Sequence, residues 1–85
     1  MERPPDWARG TWYWTNGPDR QMTIGSNGRI TLFTAGQTTY GTYWKGLIYL
    51  DGNTSTITKV GNNIRTYNQS TGETSDYSRN VWRNR

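Results

Sequence analysis

The chain has 85 residues, a formal charge of +4 and a pI near 9.8, with 31% hydrophobic and 14% aromatic residues. A chain this short forms one domain with a thin core, so five tryptophans and six tyrosines must supply area that the few aliphatic side chains cannot. Cysteine and histidine are both absent, which rules out disulfides, thiolate metal sites, thiol nucleophiles and imidazole acid–base chemistry.

Residues 1–9, MERPPDWAR, read as an N-terminal extension without the apolar run of a signal peptide. No stretch of about eighteen apolar residues follows anywhere, so the expectation is no membrane span and a cytoplasmic location by default. The segment GTWYWTNG, residues 10–17, then sets three rings side by side between two glycines. Alternation puts Trp12 and Trp14 on a common, inward face, with Tyr13 opposite.

From there, turn signals recur at nearly even intervals: TNGPDR, SNGR, TAGQ, WKG, LDGNT, GNN and STGE. The stretches between them are rich in Thr, Tyr, Trp and Ile, and no window of helical length carries an apolar stripe. The pattern predicts an all-β domain over 10–78, a small antiparallel meander of about eight short strands, closed or partly open as a barrel.

Taken in order, residues 20–25 turn Met22 and Ile24 to one face, and residues 29–33 turn Ile30 and Leu32 inward with Arg29, Thr31 and Phe33 outward. Around Lys45-Gly46, Tyr40, Thr42 and Trp44 alternate with Thr39, Gly41 and Tyr43, and Tyr43 is assigned outward. Ile48 and Leu50 then oppose Leu47 and Tyr49. The third hairpin turns Ile57, Ile64 and Thr66 inward and leaves Arg65 and Tyr67 outside. An offset of 36 residues sets Gly25, Asn27, Arg29, Gly36 and Thr38 over Gly61, Asn63, Arg65, Gly72 and Thr74, as an internal duplication would.

The charge is concentrated at the C-terminus. Residues 1–78 carry seven basic side chains against six acidic ones; the excess lies in the tail 79–85, on Arg79, Arg83 and Arg85.

The run GTWYWTNG, followed by MTIGSNGRIT and GTYWKGLIYLDGN, resembles the start of lipocalin-like, calycin-type barrels, in particular small bacterial proteins beginning G-T-W-x-W-x-N-G. The resemblance implies a barrel whose first strand carries Gly10 and Trp12, the indole closing one end. The pieces GTW and MTIG, about twenty residues, also look like the opening of avidin-type barrels. The chain is far shorter than the full barrel of either family.

Catalytic machinery is not visible. The six carboxylates, Glu2, Asp6, Asp19, Asp51, Glu73 and Asp76, fall mostly in termini and turns, with no facing inward pair. DGNTS lacks the acidic repeat of a calcium loop. The chain therefore reads as a non-enzyme without cofactor or metal. What remains is a set of outward groups, Tyr13, Arg29, Tyr43, Trp44, Tyr49, Arg65 and Tyr67, suited to stacking on a sugar face or a base. Three functions stay open: an aromatic face for a glycan, a small molecule or a protein partner; an Arg/Tyr stripe with the basic tail for single-stranded nucleic acid; and a self-assembling structural subunit, a homo-oligomer.

Overall fold

The computed structural model describes residues 2–81. Arg83 and Arg85 lie outside the described residues. Eight strands follow one 3-10 turn, Asp6–Ala8: β1 Gly10–Trp14, β2 Arg20–Ile24, β3 Arg29–Thr34, β4 Gln37–Trp44, β5 Leu47–Leu50, β6 Asn53–Val60, β7 Asn63–Asn68 and β8 Thr74–Ser78. Each pairs antiparallel with the next, and β8 returns to β1, closing the barrel β1-β2-β3-β4-β5-β6-β7-β8. Every predicted turn joins two of these strands. Closure gives each strand a partner on both sides, which removes the free edges that edge-to-edge assembly would use. The seam is short: Tyr13 pairs with Ser78 and Trp14 with Tyr77, and the Thr15 amide donates to the Asp76 carbonyl at 3.0 Å.

Three hairpins turn on two residues, Ala35-Gly36, Lys45-Gly46 and Asp51-Gly52, in which both residues have positive φ. That is the signature of type I′ turns, whose twist matches that of the flanking strands and so sets register tightly.

Register corrects one assignment of faces. Ile30 faces the core and pairs with Gly41; directly paired residues share a face, so Gly41 and Tyr43 point inward. Tyr43 is only 6% exposed and is a core residue, not part of an outward ring set. The interior is tight at Gly41, because a Cβ there would collide with the Tyr49 carbonyl and the Leu50 side chain. Tyr40, Thr42 and Trp44 take the outer face instead.

The core gathers at one end. Trp12 is 1% exposed, and its Nε1 donates to the Ala8 carbonyl at 2.8 Å. Ile24, Ile30, Ile57 and Ile64 belong to the same buried cluster. The N-terminal extension packs across this end: Pro4 and Ala8 are fully buried, and the Glu2 carboxylate accepts the Lys45 amide at 3.0 Å. Arg79 lies 3.7 Å above the Trp12 ring and donates to the Trp7 carbonyl at 3.4 Å. The first arginine of the expected tail is thus part of the barrel's closure.

The 36-residue offset aligns β3 with β7 so that Arg29 and Arg65 both point outward. Elsewhere the two halves differ: Ile24 is buried where Val60 is exposed, and the loop 25–28 stands against the shorter turn 61–62. Among the described residues no helix is long and apolar enough to cross a membrane.

Candidate functional site

The inward faces of the strands change character along the barrel axis. On β3 the inward series runs Ile30, Leu32, Thr34, and on β7 Ile64, Thr66, Asn68. On β6 it runs Ile57, Ser55, Asn53, and on β2 Ile24, Met22, Arg20. Because neighbours are antiparallel, all four series place their apolar member at the Trp12 end and their polar member at the other. The polar half encloses a cavity of about 280 Å³, floored by Met22 and Ile48 and rimmed by Asp51 and Glu73.

Arg20 dominates this half. Its side chain is 19% exposed, and its guanidinium lies 4.4 Å from the centre of the Trp14 ring, a stack that holds a partly desolvated cation at the mouth. Nη1 donates to Ser75 Oγ at 3.1 Å, while the nearest carboxylate oxygen, Glu73 Oε1, is 4.0 Å away, beyond hydrogen-bonding reach. Tyr77, inward on β8, also lines the cavity. Burial pushes its phenol above the ordinary tyrosine value, with the Arg20 charge and a hydrogen bond from Arg20 pulling in the opposite direction.

Buried polar atoms in folded proteins are almost always paired. Four side-chain atoms among the described residues are buried without a partner: Arg9 Nε, Trp14 Nε1, Arg20 Nε and Thr34 Oγ1. The last three cluster at the open end, where Arg20 and Thr34 are register partners. A groove of about 520 Å³ at the opposite end borders the Trp12–Arg79 stack and Lys59, but none of these orphaned atoms lines it. The lumen is therefore the better-equipped cavity, and it was not among the sites expected from sequence. Its signal was present: the inward positions of successive strands trade Ile for Thr, Ser and Asn at the same end.

The expected outward site is divided among different walls. In a ring of eight strands, β1 lies opposite β5 and β3 opposite β7, so Tyr13 faces away from Tyr49, and Arg29 away from Arg65. Tyr13 instead borders a hollow of about 120 Å³ with Phe33 and Pro18. Arg29 packs 5.2 Å from the Tyr40 ring. Arg65 donates from Nε and Nη2 to the two Asp76 oxygens at 2.8 and 3.5 Å, and this pairing, by hydrogen bond and charge, raises its already high pKa. No single stripe contains both arginines, and Arg65 is already neutralised.

Three members do share a wall. Trp44, Tyr49 and Tyr67 are 43%, 40% and 45% exposed. Trp44 pairs with Leu47, Leu47 with Thr56 and Thr56 with Tyr67. Tyr49 and Tyr67 flank β6 from either side, opposite Thr54 and Thr56, roughly 12 Å apart at ordinary strand spacing and rise. Tyr40, the most exposed ring on the barrel at 61%, was not among the expected site residues.

Comparison with protein-family models, with curated proteins and with solved structures finds no match to this chain. No group of three or more potential metal-ligating side chains comes together among the described residues.

Proposed function

We propose that the protein is a non-catalytic binding module that holds a small molecule in the open half of its barrel. The observation that carries this reading is the coincidence of a 280 Å³ cavity with the unpartnered polar atoms of Arg20 and Thr34. A floor of aliphatic side chains under a few convergent polar groups is the ordinary makeup of a small-ligand site. The volume is at the lower limit for drug-sized molecules, so the fitting ligand is metabolite-sized.

A fragment screen by ligand-observed NMR, followed by amide shift mapping, tests it. Fragments that bind are expected to shift the amides of Thr34, Ser55, Thr66 and Ser75, and to be lost when the lumen is filled by Ser55→Phe or, independently, Thr39→Phe. Binders that map elsewhere and survive both substitutions would overturn the lumen as the site.

One observation favours a second reading. Trp44, Leu47, Tyr49 and Tyr67 lie on one wall with threonines between them and with the Lys45 ammonium 5.5 Å from the Trp44 ring centre, which suits a partner that offers a flat face and hydroxyl groups, such as a glycan. On that reading Trp44→Ala and Tyr67→Ala abolish binding while Ser55→Phe leaves it intact.

A further inference from the structure

Arg65 and Arg20 offer an internal comparison. The side-on edge of a guanidinium is formed by Nε and Nη2. In Arg65 that edge is filled by both oxygens of Asp76. In Arg20, Nε is buried and unpartnered, Nη1 donates to Ser75 and forms a long ion pair with Glu73 at 4.0 Å, and a hydrogen bond reaches the Tyr77 phenol. The Thr34 hydroxyl, register partner of Arg20, is likewise unpartnered. Met22, Leu32, Ile48 and Leu50 supply hydrocarbon surface in the same cavity.

We infer that the lumen takes a small organic monocarboxylate, its carboxylate at the Arg20 guanidinium beside Thr34, and its hydrocarbon body directed down onto Met22 and Ile48. This rests on the lumen being the ligand site. The chemistry follows from the donor set. A guanidinium edge matches the two oxygens of a carboxylate, and Arg20, sunk beside Trp14, acts through less solvent than an exposed cation would. Thr34 adds a neutral donor to the same group. Asp51 and Glu73 stand at the rim. Glu73 is 59% exposed, so solvent screens its effect on a carboxylate seated at Arg20. A second negative charge left at the mouth would meet both acids at close range. The site therefore discriminates against dicarboxylates and tolerates a cationic group at the rim. At about 280 Å³, the cavity has the volume of roughly nine water molecules, enough for a short-chain acid.

The test titrates the full chain with hexanoate, hexan-1-ol and adipate, by calorimetry or ligand-observed NMR. Hexanoate is expected to bind about tenfold or more tighter than hexan-1-ol, the range typical of hydrogen bonds to a charged group, and adipate more weakly than hexanoate. Arg20→Met should remove the preference for hexanoate over hexan-1-ol, and a cooperative urea transition reports that the variant still folds. Thr34→Val, which keeps the guanidinium, should weaken hexanoate by a smaller factor. If hexan-1-ol binds in the lumen and hexanoate binds no tighter, or if Arg20→Met retains the preference, carboxylate recognition is overturned while the lumen site stands. If neither probe binds, or binding persists in Ser55→Phe and Thr39→Phe, the lumen reading falls and carboxylate recognition with it.

Discussion

The two ends of this barrel solve opposite problems with the same eight strands. At one end Trp12 is sealed beneath Ala8, the extension and the Arg79 guanidinium, and each polar atom of the indole has its partner. At the other, Trp14 is half-buried, and its Nε1 stands without a partner beside those of Arg20 and Thr34. The closed end leaves one buried side-chain atom without a partner, Arg9 Nε, and the open end leaves three; an end that concentrates such atoms holds donors ready for something else. The difference separates stability from function along a single axis.

The largest expected effect tests the closed end. Trp12→Ala removes the central ring, the bond to Ala8 and the surface on which Arg79 rests, and is expected to cost about 3–5 kcal/mol, read as a lowered urea midpoint. Given the thin core, this approaches the whole stability of the domain. Arg79→Ala leaves the ring but removes its cover, with an expected loss of about 0.5–1 kcal/mol by the same measurement.

The Tyr77 phenol links the two halves. Its folded pKa is raised by burial, so the neutral form is favoured in the fold, while the unfolded chain ionises near pH ~10. Stability from this group is present below that pH and is lost as the pH climbs towards the raised folded value. A set of unfolding curves across the alkaline range should show this decline, and Tyr77→Phe should reduce it.

The smallest effect sharpens the contrast most. Thr34→Val replaces an unpartnered buried hydroxyl with a methyl group of similar shape, and its expected effect on stability is within about 1 kcal/mol, neutral or favourable. A loss as large as that of Trp12→Ala would break the division between a stability end and a binding end.

Much of the fold was legible because turns and alternation are local properties. All seven turn signals mark real connections, and Trp12, Met22, Ile24, Ile30, Ile48, Ile57 and Ile64 are buried as period two requires. The phase of β4 was misread because Tyr43 and Trp44 are adjacent large rings, and only pairing of Gly41 with Ile30 decides which one enters. The site was less legible. Outward rings can be recognised one strand at a time, but whether Tyr13 joins Tyr49 depends on where β1 and β5 fall around the ring. Polar inward residues such as Thr66 and Ser55, taken singly, look like departures from a hydrophobic pattern; together they line one mouth.

The amino-acid sequence by itself determined the strands, their turns and the burial of Trp12, because backbone preference and hydrophobic alternation act between near neighbours. Closure of β8 onto β1 decided the rest. It set Arg29 and Arg65 on opposite walls, brought Arg79 over Trp12, and gathered Arg20 and Thr34 at one opening, since angular position around a barrel depends on every strand pairing at once.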